Sequence, residues 1–292
     1  MKTVPTDLHG HTFFSDGRAT PGEYARFRAQ EGLKVIAVSD HDHFAAVRLV
    51  AAAAEPLGLV VVPAAELTCL LNPGTAEAEQ LHVLCYFPPS YLEGDRLEQT
   101  ALYQRGLRVQ EAWRNFVLEF MSTLEEDGQR SMGGRALSLQ GAKDFPGLQA
   151  LIDRLAHRNP AVEARFRRHH VQFWHQNEAL FAWTPEALID AIRADGGLEV
   201  VAHAARYVDR PQTERVMAYA RGLEVYTSRH KDHVAARFRE YAEAHGKLWT
   251  SSSDDHQRGR YLKPPCGTPV ETLQVILQHQ IPSEWIREDP GV

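Results

Sequence analysis

Asp7-Leu8-His9-Gly10-His11-Thr12, followed by Phe13-Phe14-Ser15-Asp16-Gly17, opens the chain and sets how the rest of it is read. His9 and His11 sit two apart, so in an extended segment both side chains leave from one face and can reach one metal ion. Such a pair is ordinary at a strand end, and its company gives it meaning. Asp40-His41, Glu66, His82, His203 and Ser253-Asp254-Asp255-His256 each lie where an apolar run gives out.

Working outward, Lys34-Val35-Ile36-Ala37-Val38-Ser39 is a β-branched run bounded by Gly32, with the signature of a buried strand ending at His41. Before it, Thr20-Pro21-Gly22-Glu23 offers an N-cap, proline at the first helical position and a capping-box glutamate. The order strand, helix, strand then repeats. A helix from about Phe44 to Glu55 leads to Leu59-Val60-Val61-Val62-Pro63 and Glu66; His82 opens Val83-Leu84-Cys85-Tyr86-Phe87. Thr184-Pro185-Glu186 caps a helix that Gly196-Gly197 ends, and Leu198 to Ala202 runs into His203. Gly222 to Tyr226 and Lys247 to Thr250 complete the series. Alternation of this kind predicts a largely parallel sheet with helical crossovers and candidate ligands at the C-terminal strand ends, where closed α/β barrels assemble their sites.

Between Ser90 and Ala182 the alternation stops. Two amphipathic stretches, Arg96 to Glu126 and Gly147 to Leu180, predict an inserted helical subdomain, with Leu102, Val109, Trp113, Phe116 and Phe120 at roughly helical spacing. Within it, Arg165-Phe166-Arg167-Arg168-His169-His170 reads as a solvated helix face, because neighbouring residues point in different directions around a helix.

With 292 residues, 43% hydrophobic and 24% charged, the composition is that of a soluble globular protein. No apolar run approaches the ~18 residues that would span a bilayer, and the N-terminus lacks the apolar core of a signal peptide, so a cytoplasmic address is expected. Cys69, Cys85 and Cys266 are too scattered for a disulfide framework or a paired-cysteine zinc site. A net charge of −6 argues against stable binding of duplex nucleic acid. Fifteen histidines are several more than this length ordinarily carries, as metal binding would require.

The set Asp-Leu-His-Gly-His-Thr with Ser-Asp-Gly, Ser-Asp-His-Asp at 39–42, Glu66, His82, Ala202-His203 and Ser-Asp-x-His at 253–256 resembles the PHP (polymerase and histidinol phosphatase) superfamily, in its phosphoesterase branch with a helical insertion. The resemblance implies a distorted (β/α)7 TIM-like barrel over residues 1–89 and 183–292, a helical substrate-capping insert over 90–182, and two or three divalent ions (Mn, Fe or Zn). It implies a first ion on His9, His11, Glu66 and Asp254, a second on Glu66, His82 and His203, and a third on Asp16, His41 and His256, with Glu66 bridging. Ala204 departs from the proline that follows this histidine in many relatives, and the insert has little of their sequence.

The remaining candidates are open on sequence alone. Asp42 either protonates a leaving group or orients a ligand histidine; with Glu66 and His230 it makes up the catalytic candidates. Arg206, Arg229 and Arg18 are candidate phosphate contacts, each equally able to be an ion-pair partner. His43 reads as structural and Asp255 as facing away. The expected activity is metal-dependent hydrolysis of a phosphate ester, most plausibly a nucleotide, an oligonucleotide end or another small phosphomonoester, by a metal-activated hydroxide. Alternatives are a 5′-3′ exonuclease or cyclic phosphodiesterase, a histidinol-phosphate phosphatase, a C–N hydrolase, and a non-catalytic metal-binding module.

Overall fold

A computed structural model describes residues 1–260 and 267–289 of the chain; Cys266 lies outside them. Strand β1 (Lys2–Asp7) is followed by α1 (Pro21–Gln30), β2 (Val35–Val38), α2 (Val47–Ala54), β3 (Val60–Leu71) and β4 (Glu79–Tyr86). The insert then supplies α3 (Ala101–Ser122), α4 (Glu126–Met132), α5 (Gly134–Ser138), α6 (Leu148–Arg158), α7 (Pro160–His169), α8 (Gln172–Gln176) and α9 (Glu178–Phe181). After it come α10 (Pro185–Ala194), β5 (Leu198–Val201), α11 (Arg210–Tyr219), β6 (Gly222–Tyr226), α12 (Asp232–Ala244), β7 (Leu248–Ser251), β8 (Gly267–Pro269), α13 (Val270–Leu277) and β9 (Arg287–Glu288). No described helix is long and apolar enough to cross a membrane.

Local chemistry accounts for the entries and exits. Thr20 Oγ1 accepts from Glu23 N–H while Glu23 Oε2 accepts from Thr20 N–H at 2.9 Å, so α1 starts at a complete capping box. Thr184 caps α10 in the same way through Ala187 N–H. All four residues of β2 and of β5 are buried, as strands covered on both faces must be.

The strands form one curled sheet in the order β7-β6-β5-β4-β3-β2-β1-β8, with β9 also on β1. It is a distorted TIM-like α/β barrel. Alternate residues face two ways: Val35, Ala37, Val62, Ala64, Leu84 and Val200 point to an inner core capped by Leu273, Ile276 and Leu277 of α13. Ile36, Val38, Val61, Val83 and Val201 point to the helical layer. The sheet ends meet through side chains: Ser251 N–H of β7 donates to Thr268 Oγ1 of β8 at 3.1 Å, and Thr6 Oγ1 of β1 donates to Ser251 O at 3.3 Å.

One sequence expectation needs correction. The sheet is parallel at β1-β2-β3 and at β5-β6-β7, but β4 runs antiparallel to both β3 and β5. The apolar run Val83 to Phe87 has the same composition in either direction, and only the short connection after the long β3 betrays a hairpin. The second long amphipathic stretch folds as four helices, broken at Asn159-Pro160, where Asn159 Oδ1 caps α7 through Val162 N–H at 3.2 Å.

The insert has its own hydrophobic cluster, built around Phe116, Phe120, Leu151, Leu155, Phe166 and Phe173. Three of its contacts with the barrel lie beside the candidate site. Gly147 N–H donates to Phe13 O at 2.9 Å, Arg18 Nε and Nη2 donate to Asp153 of α6 at 2.7 and 3.1 Å, and buried Arg105 of α3 pairs with Asp42 at 3.1 Å. Gly147 is held so close that a Cβ there would run into Ser15 O. Gly147→Ala is therefore expected to destabilise the protein by about 1–3 kcal/mol, since main chain must move to admit the methyl group. Gly141→Ala, where a Cβ meets open space, is expected to be near neutral. Urea unfolding of both variants checks the pair; equal stabilities would place the docking contact elsewhere.

Candidate metal centre

All nine side chains expected as ligands converge above the barrel's inner core. His9 and His11 leave the exit of β1, His41 that of β2, His203 that of β5, and Asp254 and His256 that of β7. Glu66 and His82 arrive differently. β3 runs past the rim, so Glu66 stands inside the strand, paired with Leu84 of β4 and bridged to His41, and antiparallel β4 brings His82 to the rim opposite Thr68. Between the first two histidines only glycine fits, because a Cβ at Gly10 would run into Arg28 Nη2.

Glu66 lies at the centre, with a side chain 1% exposed. His82 Nδ1 and His203 Nε2 touch its Oε1 at 2.9 and 2.8 Å; His9 Nε2, His11 Nε2 and His41 Nδ1 face its Oε2 at 3.2, 3.3 and 3.2 Å. Asp254 Oδ1 faces His9 Nε2 and His11 Nε2 at 3.6 and 3.4 Å. Asp16 Oδ2 faces His41 Nε2 and His256 Nε2 at 3.6 and 3.3 Å. Four overlapping groups of donors result: His9, His11 and Asp254; His9, Glu66 and His203; His41, Glu66 and His82; and His11, Asp16, His41 and His256. His82 and His203 thus meet at one oxygen of Glu66 yet fall in separate groups, where the family pattern implies a shared ion.

These residues fit divalent ions. Asp16 Oδ1 and Asp254 Oδ1 are buried and accept no hydrogen bond, an arrangement that costs free energy unless a cation completes it. The donors are imidazole nitrogens and carboxylate oxygens, a mixture suited to Mn, Fe or Zn. His9 Nδ1 is committed to Glu224 Oε1 at 2.9 Å and His256 Nδ1 to Asp254 O at 3.0 Å, which leaves the Nε2 lone pair of each facing the cluster.

Glu224 was not singled out by the sequence. It is fully buried in β6, and its other oxygen accepts from His203 N–H at 2.7 Å, so one carboxylate positions two candidate ligands. The signal was present: a glutamate inside the strand Gly-Leu-Glu-Val-Tyr has no place unless it is paired. The Tyr207 hydroxyl bridges His82 N–H (2.8 Å) and His203 Nδ1 (3.2 Å) in the same supporting role.

The electrostatics follow from this crowding. Burial opposes charge on His9 and His11, but Glu66, Asp254 and their neighbours overcome it: His9 is raised well above the ordinary imidazole value and His11 is pushed up to about 10. Burial would raise Asp16 and Glu66, yet the surrounding imidazoles hold both well below the usual carboxylate range. His82 is the exception, lowered by burial despite Glu66.

Other candidates separate clearly. Asp42 orients no ligand histidine: its oxygens accept from Thr68 N–H (2.8 Å), Thr68 Oγ1 (2.7 Å) and Arg105 Nη1 (3.1 Å), which commits the carboxylate to those two residues. His230 faces away from the cluster, with Nδ1 on Val225 O at 2.9 Å and Nε2 accepting from Ala205 N–H; burial lowers its pKa. Arg18 is committed to Asp153 and Gln257. Arg206 and Arg229 do line the cavity, Arg229 donating to Asp254 Oδ2 at 2.5 Å and Arg206 having no ion pair among the described residues. Asp255 faces away, capping Gln257 N–H and Gly259 N–H, and His43 is structural, with Nε2 on Phe14 O at 3.2 Å. Asp40 ties the His11 loop to β2 through Thr12 and Ser15. Of the insert's basic run, Arg165 reaches Thr123 Oγ1 and Arg167 reaches Glu163, while His170 turns toward the cavity.

That cavity, about 280 Å³, has the cluster as its floor and the insert as its roof. None of the nine candidate ligands comes from the insert.

No model of a known protein family matches the chain, nor does any curated protein. Solved structures do. A protein from Bifidobacterium adolescentis provisionally designated a metal-dependent phosphoesterase is 21% identical, with a TM-score of 0.64 over 96% of this chain and 97% of its own. An amidohydrolase from Chromobacterium violaceum with bound sulfate and no metal is 20% identical, with a TM-score of 0.64 over 94% of this chain and 98% of its own. A two-domain protein from Bacteroides vulgatus containing a predicted PHP-like metal-dependent phosphoesterase is 14% identical, with a TM-score of 0.44 over 88% of this chain and 53% of its own. The chain shares the fold of the first two along nearly its whole length.

Two outcomes are expected. With His11 protonated up to about pH 10, an incoming ion must displace its proton, so apparent metal affinity rises with pH over the neutral range. Metal titration in buffers of differing ionisation enthalpy reads the released protons directly; no release would contradict the protonated cluster. Glu224→Gln should lower metal affinity by roughly 10–100-fold, although it removes none of the nine ligands. Competition with a chelator measures this, and unchanged affinity would reduce Glu224 to a packing residue.

Proposed function

We propose that this chain is a PHP-superfamily phosphoesterase that uses divalent metal ions to hydrolyse a small phosphomonoester, such as the end of a nucleotide. The observation that carries this reading is the convergence of nine nitrogen- and oxygen-donor side chains about Glu66, with two buried carboxylate oxygens that accept no hydrogen bond, at the floor of a cavity that also presents Arg206 and Arg229. Phosphate esters are anionic and repel nucleophiles, so a site must neutralise the non-bridging oxygens and provide hydroxide near neutral pH. Bound divalent ions supply both.

The chain's own residues do the rest. Glu66 gathers the imidazoles, Glu224 and Tyr207 fix ring orientations, and Arg206 is free to bind phosphoryl oxygens bidentately. The insert roofs the cavity and limits water. A roofed cavity of about 280 Å³ suits a small molecule or one strand end, and a net charge of −6 offers no extended basic track for a polynucleotide. Amide hydrolysis on a carbamylated-lysine bridge is disfavoured, because a glutamate occupies the central position and, among the described residues, no lysine lines the cavity.

Three measurements test the proposal together. Protein reconstituted with Mn, Fe or Zn is expected to hold more than one ion per chain by elemental analysis, since nine donors exceed one ion's coordination. Nucleoside monophosphates should be cleaved with higher kcat/KM than internal linkages of a short RNA at equal metal loading. Glu66→Gln should lose bound metal and turnover together. Stoichiometry of one or below would sink the multi-ion reading, and faster degradation of the RNA would make the protein an exonuclease.

A further inference from the structure

The cavity above Glu66 is divided by charge. Its floor carries the metal-ligating cluster with Arg206 and Arg229, while its roof is formed by Val109, Trp113, Phe145, Leu148, Phe173 and Trp174 of the insert. No insert residue lining the cavity is Arg, Lys, Asp or Glu. The insert's cations are turned elsewhere: Arg105 pairs with Asp42, Arg165 reaches Thr123 and Arg167 pairs with Glu163. Polar groups on the roof are few. Gln110 Nε2 is committed to Ala142 O at 3.1 Å, and His170 Nδ1 is buried with no hydrogen-bond partner among the described residues.

The aromatic part of this roof is set in advance. Trp113 Nε1 donates to Pro146 O at 3.1 Å, and its ring stands edge-on to Phe173 at 5.3 Å and 87°. Phe173 in turn packs against Trp174 at 5.5 Å. A flat ring entering below them gains apolar burial and ring contacts without first ordering the wall. A charged group carried to the same place loses its water and meets no charged side chain of the insert.

Resting on the phosphate-ester reading, we infer that the alcohol part of the substrate is an uncharged planar aromatic group seated under Trp113, Phe173 and Trp174. The roof also rejects an alcohol part that bears a second anion at its far end. The phosphoryl group then lies at the charged floor, and the insert recognises only what leaves with the ester oxygen.

The test uses the metal-loaded full chain and three stable phosphonates, benzyl, isobutyl and 4-carboxybenzyl, with binding read by calorimetry. Benzylphosphonate is expected to bind at least roughly tenfold more tightly than isobutylphosphonate, from ring burial and aromatic contact. The carboxybenzyl compound should fall back to the isobutyl level or below. Trp113→Leu should erase most of the benzyl preference while leaving metal content unchanged; Trp174→Leu, at a partly exposed position, serves if the first variant does not fold. Equal affinities for benzyl and isobutyl compounds, or tightest binding of the carboxybenzyl one, overturn the inference. The matching phosphate monoesters, whose alcohols are of similar acidity, are assayed for hydrolysis in parallel. A benzyl preference in binding without cleavage of any ester would refute the hydrolytic reading alone, whereas hydrolysis without preference would refute only the inference.

Discussion

One carboxylate, that of Glu66, is buried within 3.3 Å of nitrogens from five histidines, and most of the fold near the rim exists to keep that arrangement in place. The five imidazoles come from the exits of β1, β2 and β5 and from β4, so no local segment can make the site. Parallel strands alone would deliver ligands from their C-terminal ends. Here β3 overshoots the rim and returns as β4, which inserts Glu66 and His82 from the middle of a hairpin. The departure from simple alternation is therefore what centres the site.

A cluster this charged stays in the interior only if its outer partners are fixed. Glu224 reaches His9 Nδ1 and His203 N–H from β6, and Asp7 binds Ser253 N–H and Oγ at 2.7 and 2.8 Å, holding the segment that carries Asp254. Arg28 of α1 lies 2.7 Å from the Asp7 carboxylate, with both side chains buried. Burial still leaves Asp7 raised above its ordinary value, so Arg28 and Ser253 offset the desolvation only in part. Backbone geometry shows the same strain. Asp42, His203 and Asp254, three of the five described non-glycine residues with positive φ, stand in or beside the cluster, where the surrounding contacts hold conformations that are otherwise sparsely populated.

Much of this was legible in the sequence, because strand ends and ligand types leave marks at short range. The apolar runs ending at His41, His203 and Asp254 and the capped helices before them are local patterns, and the nine donors meet as their motifs suggest. What was not legible depends on direction and on distant pairing. The polarity of β4 is invisible in its composition, and Asp42 beside a ligand histidine looks the same whether it faces the site or, as here, Arg105 of the insert. Arg18 stayed open, and His230 was set among the catalytic candidates, for the same reason: their partners, Asp153 and Val225 O, are fixed by tertiary packing. Glu224 was overlooked although a buried acid in a strand is itself a sign of pairing.

The insert roofs the cluster without contributing to it. It supplies none of the nine donors, and it meets the barrel through Gly147 against Ser15, Arg18 with Asp153, and Arg105 with Asp42. Each contact lies next to a ligand-bearing residue without being one: Ser15 precedes Asp16, and Asp42 follows His41. Substitutions on the inner face of the roof change only the lining of the cavity, and the donors beneath keep their positions because Asp40, Glu224 and Tyr207 hold them from the barrel side. Substitutions at the docking contacts are different in kind. They act on the loops of Asp16 and His41, so a change tens of residues away in sequence reaches the cluster through one buried ion pair and one glycine.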